Sequence, residues 1–183
     1  FSYDTPTFGG FKATVSHTSY GSGSGEIQYG GDFNGVAVKA GAMFTTMSSS
    51  GATAHTTEDI QGYGAGFKLA NGLSVSGNYK KRSLDGGVNT TDRADPEMYY
   101  GRVGYDMSNL SDLGKTSVAF AIRDVSDRAA TGDQFDEYSL MFVQNLSDYG
   151  TQVYGGVTQL EYDTTLADFD DIAGMWLGMR VVF

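Results

Sequence analysis

The chain has no cysteine, which excludes disulfide staples, thiolate metal ligands and cysteine nucleophiles together. Its only histidines are His17 and His55, and neither accompanies a Gly-x-Ser-x-Gly elbow or a metal-ligand spacing. A membrane hydrolase, the enzyme alternative, therefore has no constellation to work with, and no cofactor or metal is expected. No stretch approaches the ~18 consecutive apolar residues of a transmembrane helix. A membrane strand needs only about 10 residues of alternating character, so a barrel stays open as a reading. Lys and Arg number 12 against 22 Asp and Glu, giving a net charge of −10. This argues against nucleic acid as a partner, because a phosphate backbone is held chiefly by clustered cations.

Leu and Ile are scarce, whereas Gly reaches 26, Tyr 12 and Phe 11. That balance favours strands studded with aromatics over packed helices, and the expected fold class is all-β. The chain opens on Phe1 without an initiator Met or a basic and apolar leader, so it is expected to be a mature product, a truncation or a fragment.

Period-two reading with turn residues as punctuation gives about eleven strands. They run roughly over 1–5, 10–19, 26–31, 35–46, 62–70, 73–83, 98–107, 115–125, 137–146, 151–162 and 172–183. One parity is apolar and the other polar or tiny. Leu73, Val75, Gly77 and Tyr79 oppose Ser74, Ser76, Asn78 and Lys80; Val36, Val38, Ala40, Ala42 and Phe44 oppose Ala37, Lys39, Gly41 and Thr45. In the strand from 151 to 162 the faces stay undecided, with Val153 and Val157 on one and Tyr154, Leu160 and Tyr162 on the other.

A soluble sandwich also alternates, but there the apolar face meets a second apolar face. Here the polar parity carries mid-strand Lys and Arg, which suits a wet lumen. The connections are expected to alternate short and long, with Asn71-Gly72 a two-residue type I′ hairpin turn and long loops at Met47–Gln61, Leu84–Glu97, Ser126–Asp136 and Asp163–Asp171. Outer-membrane barrels have this asymmetry. An odd strand count is not a complete barrel of the usual bacterial kind, so an incomplete portion is expected, with unpaired edges at its first and last strands.

The terminal segment places Met175, Leu177, Met179, Val181 and Phe183 on one face. It resembles the strand by which outer-membrane proteins are recognised for assembly. Tyr3-Asp4-Thr5-Pro6-Thr7-Phe8-Gly9-Gly10-Phe11 is similar to the strand, turn and strand that follow the constriction loop in Gram-negative porins. Residues 1–183 thus resemble the C-terminal portion of one porin barrel, a single domain with no separate soluble part. The resemblance implies an antiparallel up-and-down barrel of 16 strands when complete. It also implies a multi-pass place in the outer membrane among lipid and lipopolysaccharide, a homotrimer, and delivery by the barrel assembly machinery through Met179, Val181 and Phe183. The implied function is passive diffusion of small hydrophilic solutes. A non-conducting anchor or adhesin acting through external loops is the alternative.

By parity, Lys12, Lys39, Lys68, Lys80, Arg82, Arg102, Arg123 and Arg180 point inward. Lys39, Lys80, Arg82, Arg102 and Arg123 are the pore-lining candidates, with Lys39, Lys80 and Arg102 nearest mid-strand. Whether they prefer anions or cations is left open, as is solvation of a wide lumen. The acids Glu58, Asp59, Asp85, Asp92, Asp95, Glu97, Asp127, Asp133, Asp136, Glu137, Asp163, Asp168, Asp170 and Asp171 are expected in solvated loops rather than at divalent-ion sites. Outward Phe11, Phe44, Tyr63, Tyr79, Tyr99, Tyr105, Tyr138 and Phe183 are expected to form girdles near strand ends.

Overall fold

The computed structural model describes residues 1–18, 21–50, 55–85, 95–108, 110, 112–128, 130–167 and 169–181. Phe183, Asp92 and Asp168 lie outside the described residues. Alternating side chains leave each segment one face to be shielded and a full set of backbone donors and acceptors to be paired. Antiparallel laddering to the next segment satisfies the backbone. The strands are β1 (Ser2–Asp4), β2 (Phe11–His17), β3 (Gly23–Phe33), β4 (Val36–Ser50), β5 (His55–Lys68), β6 (Leu73–Asp85), β7 (Glu97–Met107), β8 (Thr116–Ser126), β9 (Gln134–Leu146), β10 (Thr151–Asp163) and β11 (Ile172–Val181). They form one sheet of eleven strands in chain order, each antiparallel to the one before. A short 3₁₀ turn spans Ser147–Tyr149. β1 and β11 are not neighbours, so the sheet is open.

Several strands run further than their periodicity foretells. β4 and β5 pair continuously from Ala37↔Lys68 to Ser50↔His55, so most of the expected Met47–Gln61 loop is ladder. Its Thr and Ser residues alternate without apolar partners, which hides the strand from a hydrophobic pattern while leaving its β propensity intact. Glu58, Asp59, Asp85, Glu97, Asp136, Glu137 and Asp163 accordingly stand in strands, not loops, and His55 opens β5.

The hairpin turns correct a second expectation. The type I′ geometry is found at Asn34-Gly35, where φ is 53° and 83° and Gly35 N–H donates to Asp32 Oδ1 at 2.9 Å. At Asn71-Gly72 only Gly72 is left-handed, with φ 93°. Leu73 N–H donates to Asn71 Oδ1 at 3.0 Å and Gly72 N–H to Leu69 O at 3.0 Å, closing a longer turn over 69–72. Gly72 O in turn accepts from Asp106 N–H at 3.0 Å. A Cβ at Gly72 would run into the Asp106 carbonyl oxygen, so both φ and space demand glycine.

Among the described residues no second layer covers the sheet. The buried apolar side chains among the described residues are Ala119 and Ala121, both on the face that carries the cations. Pairing settles the undecided faces of β10. Val153 and Val157 oppose Met179 and Met175, while Tyr154 opposes Gly178.

Candidate functional site

Cross-strand register places Lys12, Lys39, Lys68, Lys80, Arg82, Arg102, Arg123 and Arg180 on one face. Six carboxylates share it: Asp4, Glu26, Asp32, Glu58, Asp106 and Glu137. Eight strand cations and Lys115, whose ammonium reaches Asp106 from just before β8, stand against six strand anions and leave this face net positive within a chain that carries −10 overall. Four of the cations are paired. Lys12 Nζ lies 2.7 Å from Asp4 Oδ2 and Lys68 Nζ 2.6 Å from Asp106 Oδ2, which Lys115 also meets at 2.6 Å. Arg82 Nη2 donates to Glu58 Oε2 at 2.7 Å, and its Nε lies 2.6 Å from Oε1 as an ion-pair contact without hydrogen-bond geometry. Arg123 Nη1 lies 3.0 Å from Glu137 Oε2. Such solvent-screened pairs add little to stability. Their larger effect is to neutralise the cation.

Lys39, Lys80, Arg102 and Arg180 are exposed and meet no carboxylate at ion-pair distance among the described residues. Lys39 and Arg102 stand in one cross-strand row, Lys39–Gly66–Ser76–Arg102, about 14 Å apart at the usual strand spacing. Lys80 opposes Gly62 and Met98. Around them the wall is low: Gly62, Gly64 and Gly66 of β5 take the space that side chains of Met43, Asn78 and Ser76 approach. Three free ammonium and guanidinium groups thus rise from a floor of glycine and serine.

The sequence candidates therefore separate into two groups. Lys39, Lys80 and Arg102 are free, whereas Arg82 and Arg123 are held by Glu58 and Glu137. The partner acids were missed because they stood in expected loops; carrying the parity of Lys68 back along β5 reaches Glu58. Trp176 and Tyr154, which face the same way as the cations, were also missed. Met179 and Val181 stand on the opposite face of β11, exposed.

That opposite face is apolar across the sheet. One row reads Phe67–Val75–Val103–Phe120–Leu140–Val157–Met175 over seven strands, and every member is exposed, from 43% for Val103 to 84% for Met175. In water such a surface would drive association or aggregation. Its in-strand charges, Asp59, Lys81, Glu97, Asp124, Asp136, Glu161 and Asp163, all sit toward the strand ends nearest Phe1. Below them lies an uncharged band. From Tyr99 to Met107 it covers nine residues, about 27 Å along the strand, which falls within the ~9–11 residues of a tilted membrane strand.

Aromatics mark both margins of the band. Tyr63, Tyr79 and Tyr99 form a cross-strand ladder with ring centroids 6.5 and 5.0 Å apart. Immediately beyond it Lys81 Nζ meets Glu97 Oε1 at 2.8 Å. At the other margin Phe11 and Tyr29 lie 4.7 Å apart and Tyr29 and Phe33 6.1 Å, with Tyr105 further along. Amphipathic rings at an apolar–polar boundary are the arrangement of a membrane girdle. Among the described residues no group of His, Asp or Glu is arranged to hold a metal ion.

A family model described as Gram-negative porin matches residues 1–165. No curated protein matches the chain. Among solved structures, the anion-selective porin from Comamonas acidovorans superposes over the whole chain and 58% of its own length, with TM-score 0.70 and 19% identity. The outer-membrane expressed OmpT of Vibrio cholerae superposes over 88% of this chain and 53% of its own, with TM-score 0.59 and 14% identity. The chain thus spans little more than half the length of either structure. The charged inner wall, aromatic-bounded outer belt and family match together make this chain a member of the Gram-negative porin family.

Proposed function

We propose that the cationic face lines a water-filled channel through which small hydrophilic solutes diffuse across the outer membrane, in a barrel that further strands close. The observation that carries this reading is the segregation of charge. The apolar face has no charge for about 27 Å along its strands, while the opposite face carries eight cations. A plain anchor does not need a charged inner wall. The porin family is one of channels rather than enzymes, and nothing in the mechanism requires turnover or a cofactor.

The wall favours anions. A net-positive surface with free Lys39, Lys80 and Arg102 raises the local concentration of negative ions and repels cations, an effect that falls with ionic strength. The Comamonas acidovorans structure is named as anion-selective, which agrees with that lean. The acidic margin nearest Phe1 would face the exterior among lipopolysaccharide headgroups. Met179, Val181 and Phe183 would be read by the barrel assembly machinery, and the assembled unit would be a homotrimer. Conductance of the complete protein in planar bilayers tests the reading. Stepwise current with a reversal potential of anionic sign in a KCl gradient is expected. Folded trimers without current would overturn the channel in favour of the anchor or adhesin.

A further inference from the structure

The inner wall is not uniformly polar. On β10 and β11 it carries Tyr154 and Trp176, whose ring centroids are 6.1 Å apart and inclined at 53°. Each opposes a glycine: Trp176 pairs with Gly156 and Tyr154 with Gly178. A Cβ at Gly156 would stand 3.0 Å from Trp176 Cζ2, and one at Gly178 only 2.5 Å from Tyr154 Cε2. The rings therefore lie down over the two glycines, and Trp176 remains 45% exposed.

Beside the indole, the next position on the same face of β11 is Gly174, paired with Thr158. A Cβ at Gly174 would meet nothing within 4 Å. Trp176 and Gly174 are two residues apart, roughly 7 Å, so an open floor about one sugar ring wide lies beside the indole and directly across from Thr158.

Beyond that floor runs a hydrogen-bonded chain. Ser139 Oγ donates to Glu137 Oε1 at 3.0 Å and lies 3.0 Å from Thr158 Oγ1. Since Ser139 has one hydroxyl proton and spends it on Glu137, Thr158 must donate to Ser139. Thr158 Oγ1 then has lone pairs free to accept. At the far end Glu137 holds Arg123 Nη1 at 3.0 Å, and the guanidinium keeps further N–H donors. Within one wall patch stand an aromatic face, a ring-sized gap and an acceptor, whereas Arg123 lies three strands and four residues from Trp176, about 20 Å away and outside the reach of one ring.

We propose that this patch is a binding subsite for pyranose sugars, with the apolar C–H face of the ring on Trp176 and a ring hydroxyl on Thr158. The inference rests on the channel reading, since the patch must face water to be reached. A pyranose presents both an apolar face and ring hydroxyls, whereas a simple anion offers nothing for the indole and an acyclic polyol no rigid face.

The test is solute block of ion current through the complete protein in planar bilayers, using glucose and maltose, with sorbitol as the acyclic control. A saturable reduction of current by both sugars and not by sorbitol is expected. Trp176→Ala should weaken the block about tenfold, equivalent to ~1.4 kcal/mol, while Trp176→Phe retains part of it. Tyr154→Ala, which uncovers Gly178, provides a second variant should Trp176→Ala fail to insert. Met175→Ala, on the opposite face, should leave the block unchanged. Normal current without sugar block, equal block by sorbitol, or equal block in the Trp176 and Tyr154 variants would each overturn the subsite and leave the channel standing. Absence of current in the unaltered protein would overturn the channel, and the subsite with it.

Discussion

Val75 and Asn78 lie three residues apart on β6 and face opposite ways. Placing an arginine at each asks what solvent bathes each face. Val75 is 49% exposed and stands four residues from Tyr79, about 13 Å along the strand, well inside the uncharged band. If that band meets lipid, Val75→Arg carries a guanidinium to near the bilayer midplane at a cost of ~2–4 kcal/mol, a roughly 30- to 700-fold loss in the folding equilibrium. Asn78→Arg adds a charge to the wall beside Gly64 and Tyr100 and should stay within about 0.5 kcal/mol. Were both faces in water, Val75→Arg would also fall within about 0.5 kcal/mol, because exposed substitutions rarely do more. Reversible urea unfolding of the complete protein in phospholipid bilayers, followed by tryptophan fluorescence, reads the difference. Equal stabilities for the two variants, or the larger loss at Asn78, would refute the assignment of faces.

Three other outcomes follow from the same geometry. Replacing Lys39, Lys80 and Arg102 by Glu lowers the charge of the wall by six units, from net positive to net negative, and the reversal potential in a KCl gradient should change to cationic sign; an unchanged sign would refute their pore role. Arg82→Ala strands Glu58, 18% exposed, and should lower stability by ~1 kcal/mol, whereas Lys39→Ala, which leaves no acid unpaired, should change the urea midpoint negligibly. Gly72→Ala forces a side chain to φ 93° against the Asp106 carbonyl and should cost ~1–3 kcal/mol, seen as a lower urea midpoint; Gly77→Ala, without positive φ, is the control.

Strand count and facing were legible because period two survives wherever one face is apolar: Val75 against Ser76 and Val103 against Arg102 need no further information. The same rule failed where neither face is apolar. The upper part of β4, Met47-Ser48-Ser49-Ser50, reads as loop, and only its pairing with β5 shows it as strand. β10 failed for the opposite reason, since Val153 and Tyr154 are both large and apolar. Its faces are fixed by glycines on the neighbouring strand that make room for Tyr154 and Trp176. The dipeptide Asn71-Gly72 carried a genuine turn signal, but the Asp106 backbone on β7 and the Asn71 side chain decided the turn type. At the site, parity located all eight cations; which were free depended on acids one and two strands away, such as Glu58 for Arg82, and sequence spacing does not contain that register.

The claim on which everything rests is that β6 separates water from lipid residue by residue. The chain contributes no native thiol, so single cysteines at Ser74, Val75, Ser76, Gly77, Asn78 and Tyr79 can be probed one at a time in bilayers with a charged, membrane-impermeant thiosulfonate while current is recorded. The account predicts rapid modification and a stepwise fall in current at Ser74, Ser76 and Asn78, and none at Val75, Gly77 and Tyr79. Modification without alternation, or current loss from the odd positions, would contradict it.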